Sequence, residues 1–282
     1  MSLAVRFLPQ LPWSAGGAPL VSTLFHLGGA VLAMAFYLVF LDHQVLQSSR
    51  LRPLMFLGCL LFAAGLYAYS RWTAGPLPPV LEMLGTANLL VLAMVLGSWL
   101  TTALKRPAEL VPVCLVMSLV DIFSVARGPS RFIAGSVENF YQQGRRGIPP
   151  LGDFLLVKIT LPGSPVLFPV FGLTDWIIVV FLSAAAIRFG YNDNLLGRGL
   201  VAMRQNKRPS FYLPVSAAGL ALAVIMAQVG GLFLPALPII AVLFLGYVFF
   251  RYPLSRQLQP SDWTLMLTSC GIMAVVLLLP LI

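Results

Sequence analysis

The sequence predicts an all-α, polytopic membrane protein, a helical bundle of about eight transmembrane helices. Of its 282 residues, 59% are hydrophobic and only 10% are charged, and the apolar residues fall in blocks of about twenty rather than in amphipathic stripes. Nearly all of the 18 Lys and Arg residues lie between these blocks. The net charge of +9 is therefore attributed to loops that face anionic lipid, and nucleic acid is not an expected partner.

The first three spans form an N-terminal part, residues 1–107. Each is long enough, or nearly so, to cross about 30 Å of hydrocarbon at ~1.5 Å per residue. They run from Leu20 to Leu41, from Leu54 to Tyr69 and from Val80 to Leu100. Glu82 stands at the edge of the third span, where a carboxylate at headgroup level is the simplest interpretation.

The other five spans form a second part, residues 108–282. They run from Glu109 to Arg127, from Pro169 to Ile187, from Tyr212 to Val229, from the segment Leu234–Pro238 to Arg251, and from Trp263 to Ile282. Arg127-Gly128-Pro129 marks a helix stop after the fourth span. Pro235 and Pro238 weaken helical hydrogen bonding where the seventh span begins, which predicts a local opening there.

The long polar connection between the fourth and fifth spans ends in a stretch with strand composition. Phe154–Thr160 is rich in aliphatic residues, Pro162–Pro165 predicts a turn, and Val166–Phe168 can return as a second strand. Such a hairpin would precede the fifth span and would offer an edge to which an extended peptide can add. An interfacial loop with aliphatic anchors is the alternative that these residues leave open.

Two aspartates lie inside apolar spans, where a carboxylate is costly and is often functional. Asp121 stands six residues before Arg127, and Asp175 stands six residues after Pro169, so each is roughly 9 Å from the loop end of its span. Consecutive spans run antiparallel, and the two carboxyls are therefore expected at one depth. Two carboxyls that meet share a proton, so one can act as general base and the other as general acid.

The surroundings of the two aspartates suit hydrolysis of a peptide bond. The base would take a proton from water, and the acid would polarise the peptide carbonyl and protonate the leaving amine. Gly172 removes a side chain near Asp175, and the Thr174 hydroxyl can hold water or orient a carboxyl. This chemistry needs no metal and no cofactor.

Three stretches together resemble the presenilin and signal peptide peptidase family of intramembrane aspartyl proteases. Val120-Asp121, followed by Gly128-Pro129, resembles the first aspartate helix of that family. Gly172-Leu173-Thr174-Asp175 resembles the Gly-x-Gly-Asp motif, and Pro235-Ala236-Leu237 reproduces the Pro-Ala-Leu motif. The motifs follow the order of the family, and the resemblance covers roughly Glu109 to Arg251.

The resemblance implies a role for each matching position. Asp121 and Asp175 would be the catalytic pair. The active-site framework would consist of Gly172, Leu173, Thr174, Pro235, Ala236 and Leu237. The hairpin strands would pair with an unwound substrate through Leu156, Val157, Lys158, Ile159, Val166, Leu167 and Phe168.

The resemblance also implies partners and a location. The partners would be transmembrane helices of substrate proteins, or signal peptides, within the lipid bilayer, and an oligomer is left open. The chain would be an integral multi-pass protein, and the lack of an Asn-x-Ser/Thr sequon fits a prokaryotic cell membrane.

The chain also departs from the family pattern. Val120 stands where the family has Tyr, Thr174 stands where it has Gly, and three spans rather than five precede the first aspartate. These departures keep open a catalytically silent relative that binds membrane helices. A proton- or cation-coupled transporter is the other alternative, because paired acids and proline-broken helices also mark ion paths.

Overall fold

The computed structural model describes residues 17–41, 51–160, 167–206, 211–230 and 235–278. Across these ranges the chain is mostly helical, with ten α-helices and one sheet of two antiparallel strands. The predicted helical class is therefore confirmed, and the hairpin is present where the alternative was an irregular loop.

The elements follow one another in this order. The first five helices are α1 (Gly17–Phe36), α2 (Leu51–Trp72), α3 (Pro79–Leu100), α4 (Leu110–Ala126) and α5 (Pro129–Gln142). Strands β1 (Leu156–Thr160) and β2 (Leu167–Gly172) come next. The remaining helices are α6 (Leu173–Arg188), α7 (Leu200–Asn206), α8 (Val215–Gly230), α9 (Ala236–Arg251) and α10 (Pro260–Leu278).

Four helical segments of the described chain are long and apolar enough to cross a membrane. These candidate spans are Leu20–Val39, Leu51–Trp72, Pro79–Ala103 and Pro107–Ala126. Helices α8 and α9 are apolar but have only 16 residues each, which corresponds to about 24 Å at ~1.5 Å per residue. The expected number of eight spans is thus not confirmed.

The start of the predicted fifth span is wrong. Pro169 lies inside β2 opposite Lys158, and α6 begins only at Leu173. The segment favours a strand because its Phe and Val residues suit a sheet and Pro169 has no N–H to give to a helix. Asp175 consequently lies in the first turn of α6 and not six residues inside a helix.

The polar connection contains a helix that sequence analysis did not predict. Arg127 and Gly128 donate their N–H groups back to the Phe123 carbonyl oxygen at 2.9 and 3.1 Å, which ends α4. A Cβ atom at Gly128 would lie 2.7 Å from Ser124 Cα, so this close return requires glycine. Pro129 then starts α5 at once, since proline suits the first position of a helix as well as a stop.

The chain divides into two compact units. The first unit contains the described residues up to Ser98 together with Phe132–Val180, and hence α1 to α3 and the hairpin. The second unit contains Trp99–Arg131 and the described residues from Phe181 onward, and hence α4 and α8 to α10.

The hairpin belongs to the core of the first unit. Strand β1 pairs with β2 from Leu156 opposite Gly172 to Thr160 opposite Leu167, with an irregularity between Val157 and Lys158. The rings of Phe171 and Trp176 lie 6.0 Å apart, and Trp176 is fully buried. This aromatic pair joins the end of β2 to the first turn of α6.

The second unit is held together by close helix packing. Leu220 of α8 and Ile240 and Phe244 of α9 are fully buried. At Gly219 an added Cβ atom would lie only 2.9 Å from Ile240 Cα. The absence of a side chain there lets α8 approach the backbone of α9 near its N-terminal end.

Candidate functional site

Asp121 contacts the segment that contains the Pro-Ala-Leu sequence. It lies on α4, five residues before the helix ends at Ala126, and is half-buried. Its Oδ2 atom accepts a hydrogen bond from the backbone N–H of Leu237 at 3.1 Å. The two residues are 116 positions apart in sequence, so the contact is a product of the tertiary fold.

The N-terminus of α9 explains why a carboxylate is bound there. Pro235 precedes the helix in an extended conformation, with φ −63° and ψ 129°, and it provides no side-chain cap. The first N–H groups of a helix have no partner within the helix, and they carry a partial positive charge. Asp121 supplies one of the missing acceptors from a neighbouring helix.

Asp175 makes a local contact of the same kind. Its Oδ2 atom accepts the backbone N–H of Gly172 at 2.9 Å. Gly172 is the last residue of β2 and stands directly before α6, so this bond is half of a capping box. The carboxylate therefore caps the start of α6, directly after β2.

The glycine at this junction is not required by packing. A Cβ atom added to Gly172 would lie 3.4 Å from both Asp175 Oδ2 and Thr174 Oγ1, which is ordinary van der Waals distance. The Thr174 side chain is exposed and Leu173 is half-buried. Unlike Gly219, Gly172 thus does not mark a close backbone contact in the structure.

The structure groups the expected site residues into two sets. Asp121 and the segment from Pro235 to Leu237 belong to the second unit, whereas Gly172 to Asp175 belong to the first. In each set a carboxylate accepts a backbone N–H that lies next to a helix start.

The residues expected to bind substrate lie in the hairpin. Val157, Ile159 and Leu167 are buried, whereas Phe168 is exposed. Lys158 is also buried, and its side chain is held by Glu82 and Asp153. Leu156 is half-buried, and Val166 lies outside the described residues.

One edge of the hairpin is covered by helices of the same unit. The Lys158 N–H donates to Thr86 Oγ1 at 3.4 Å, and the Thr160 carbonyl accepts the Ser22 hydroxyl at 2.6 Å. Both backbone groups belong to β1 and point away from β2. The outer edge of β1 is therefore occupied by α3 and α1.

Glu82 is buried among charged groups, whereas its place at the edge of a span suggested only a carboxylate at headgroup level. It is 4% exposed, and it forms ion pairs with Lys158 and Arg145. A signal was available, because Lys158 is a cation within an aliphatic strand and a buried cation needs an anionic partner.

Another buried acid, Asp193, does not stand out in the sequence. It is 1% exposed, and its Oδ2 atom accepts the Tyr212 hydroxyl at 2.8 Å. Burial raises the pKa of Asp193 to about 7, although the hydrogen bonds from Tyr212 and Ser183 oppose this shift. Burial and the adjacent carboxyl also raise the pKa of Tyr212.

The fold and these contacts define a class of protein: helical, with segments of membrane-spanning length and with two carboxylates bound to backbone N–H groups at helix starts. Comparisons with protein families, curated proteins and solved structures find no match for this chain.

Proposed function

We propose that this chain is an intramembrane aspartyl protease of the presenilin and signal peptide peptidase type. One observation carries the proposal: the Leu237 N–H bonds to Asp121 Oδ2 at 3.1 Å. This bond joins the first aspartate helix to the Pro-Ala-Leu segment, which are two of the three stretches behind the resemblance. If these two sequence matches were coincidental, there would be no reason to expect the two stretches to be in contact.

The proposed reaction is hydrolysis of a peptide bond by Asp121 and Asp175 acting as a pair. One carboxylate takes a proton from water, and the water oxygen attacks the carbonyl carbon of the peptide. The other carboxyl donates a hydrogen bond to the carbonyl oxygen and then protonates the nitrogen as the C–N bond breaks. The N–H groups of Leu237 and Gly172 support this chemistry because each one orients a carboxylate.

The hairpin favours a substrate that binds in an extended conformation. In the proposal, an unwound transmembrane segment of a membrane protein or a signal peptide adds as a strand to the hairpin. Thr86 and Ser22 occupy the outer edge of β1, so the added strand would pair with β2. Because Pro169 lacks an N–H, this edge offers fewer donors than an ordinary strand.

The proposed location is a prokaryotic cell membrane, in which the chain is an integral multi-pass protein. The four long apolar segments support membrane insertion, and the paired carboxyls would act below the membrane surface. The proposal includes neither a metal nor a cofactor, since the two carboxyls supply both the base and the acid.

The test is cleavage of a labelled single-span substrate by the purified protein in liposomes. Asp121→Asn and Asp175→Asn keep an oxygen that accepts the backbone N–H but cannot exchange a proton at neutral pH. We expect the rate of product formation to fall at least about 100-fold in each variant, as is usual when a general acid or base is lost. Glu138→Gln is the matched control, because Glu138 is an exposed carboxylate on α5, and it should cut like the wild type.

The other outcomes separate the alternatives. Cleavage that survives in a folded Asp121→Asn or Asp175→Asn variant would contradict the proposed pair. A wild-type protein that cuts nothing but photo-crosslinks the same substrate would indicate a catalytically silent helix binder. Proton or sodium flux into the liposomes, without binding or cleavage, would indicate a transporter.

A further inference from the structure

Four charged side chains meet in the first unit, and three of them are buried. Glu82, Asp153 and Lys158 are 4%, 1% and 7% exposed. The Lys158 ammonium lies 3.2 Å from Glu82 Oε1 and 2.5 Å from Asp153 Oδ2, and the Arg145 guanidinium pairs with Glu82 as well. Two anions thus face two cations, and the Tyr141 hydroxyl adds a hydrogen bond to Asp153 Oδ1 at 3.0 Å. We call these four charged residues the buried ion cluster.

The charges of the buried ion cluster are engaged with one another. The cavity beside Glu82, Asp153 and Lys158 is small, with a volume of about 30 Å³. The charges of the cluster are already balanced within the protein, so its role must be sought in the elements that it joins.

Arg145 reaches the cluster from a left-handed turn that follows α5. Arg145 has a φ of +60°, a left-handed conformation that is unfavourable for a residue with a side chain. Gly144 and Gly147, on either side, have φ values of +70° and +84°. The chain therefore turns directly after α5, where the Arg145 N–H returns to the Phe140 carbonyl oxygen at 2.9 Å.

Lys158 is attached to α3 at two points one helical turn apart. Its ammonium pairs with Glu82, and its backbone N–H donates to Thr86 Oγ1. Residues four apart lie on the same face of a helix, so Glu82 and Thr86 together define one position of β1 along α3. A slip by one residue would break both contacts and would turn the side chains of β1 to the opposite face.

The position of β1 is transmitted to Asp175 through the sheet. Strand β1 pairs with β2, and Leu156 lies opposite Gly172. Gly172 in turn donates its N–H to the Asp175 carboxylate. The paired strands and the Gly172 N–H therefore connect Lys158 to Asp175, across the irregularity between Val157 and Lys158.

We propose that Lys158 is a positioning residue, which through Glu82 and Asp153 sets the register of the hairpin relative to Asp175 and so selects the peptide bond that is cut. The proposal rests on the proposed proteolytic function. It gives Lys158 a different role from substrate contact, because a buried ammonium held by two carboxylates is engaged within the protein. We call the ion pairs of Lys158 with Glu82 and Asp153 the tether. Removing the tether is expected to broaden the choice of bond, while the two aspartates still hydrolyse peptide bonds.

The test compares two variants that remove the tether but differ in buried charge. Lys158→Met leaves Glu82 and Asp153 facing only Arg145, with one negative charge in excess. Glu82→Gln combined with Lys158→Met leaves Asp153 and Arg145, whose charges balance. Arg146→Met is the control, because Arg146 is an exposed cation next to Arg145.

Three measurements are made on the full-length protein in liposomes. They are the thermal midpoint, the rate of hydrogen exchange at the β1 amides 156–160, and the termini of the products from a single-span substrate by mass spectrometry. We expect Lys158→Met to lower the midpoint and the double variant to recover most of the loss. Both should exchange at least about tenfold faster in β1 and should spread cleavage over neighbouring bonds, whereas Arg146→Met should behave like the wild type.

The outcomes distinguish this proposal from the function on which it rests. A stable double variant with wild-type protection of β1 would overturn the tether, whatever the activity. A double variant with faster exchange but wild-type cut sites would overturn the selection of the bond. Loss of folding in both variants would assign the cluster to stability alone and would also overturn the proposal. If the wild type cuts nothing, the proteolytic function and the bond selection fail together. The exchange data still show whether the tether holds β1 in place.

Discussion

At the scale of single residues, the carboxylates of this chain differ in what surrounds them. Asp175 accepts an N–H only three residues away, whereas Asp121 accepts one that is 116 residues away. The first contact follows from a helix start and is visible as a local pattern. The second depends on the packing of α4 against α9, and no local pattern reveals it.

Asp193 makes the stability of the protein depend on pH. Burial raises its pKa from 3.8 to about 7, so the folded state binds a proton more tightly than the unfolded state does. The contribution of this group to the free energy of unfolding is therefore full below about pH 4, falls as the pH rises toward 7, and stays constant above it. We expect Asp193→Asn to remove this fall and to stabilise the protein at pH 8 by up to ~4 kcal/mol.

Thermal denaturation of both proteins in detergent between pH 4 and pH 8 checks this expectation. Asparagine keeps an oxygen for the Tyr212 hydroxyl, so the two proteins should agree at the acid end. Glu138→Gln, at an exposed carboxylate, is the control and should leave the pH profile unchanged. A pH profile for Asp193→Asn that parallels the wild type would contradict the assignment of this pH dependence to Asp193.

At the scale of elements, the junction between α8 and α9 leaves no room for a side chain at Gly219. A Cβ atom at Gly219 would lie 2.9 Å from Ile240 Cα, and a backbone atom cannot turn aside as a side chain can. We expect Gly219→Ala to push the helices apart and to lower the free energy of unfolding by about 1–3 kcal/mol, as overpacking usually does. Thermal or denaturant unfolding in detergent measures this loss.

Gly246→Ala is the matched control for that substitution. Gly246 also lies on α9, but nothing stands within 4 Å of an added Cβ atom. Alanine should be neutral or stabilising there by up to ~1 kcal/mol, because it is the better helix former. Equal effects of the two substitutions would show that helix propensity, and not the close contact, governs this junction.

The hairpin shows how far composition predicts an element. Aliphatic residues on both sides of a turn signal predict a hairpin, but they also leave an interfacial loop open. The extent of the second strand does not follow from composition, because Pro169–Gly172 also continue an apolar run and so resemble the start of a span. The pairing with β1 decides in favour of the strand, since Lys158 and Thr160 are held by helices on the other side.

At the scale of the whole molecule, the apolar segments predict behaviour in a membrane. Four candidate spans of 20 to 25 residues should keep the chain in the membrane pellet after extraction with alkaline carbonate, because the apolar surface that they expose in water is too large to dissolve. Immunoblotting of pellet and supernatant measures the distribution, with a peripheral membrane protein as the control that should be released. Recovery of most of the chain in the supernatant would contradict membrane insertion.

The sequence by itself determined the class of the protein and the order of its motifs. Blocks of apolar residues, helix stops and a hairpin signal are local properties, and each can be recognised within about twenty residues. For the same reason, α4 was predicted to within a residue of its bounds at either end, from Leu110 to Ala126. The two aspartates also stood out locally, because an acid in an apolar run is rare.

Only the tertiary structure decided which groups are partners. Glu82 and Lys158 are 76 residues apart, and Asp121 and Leu237 are 116 apart. The choice of such partners depends on how helices pack and on which charges become buried together, and neither is encoded in a short stretch of sequence. The physical reason is that a buried charge needs an opposite charge nearby in space, and its distance along the chain places no limit on where that charge comes from.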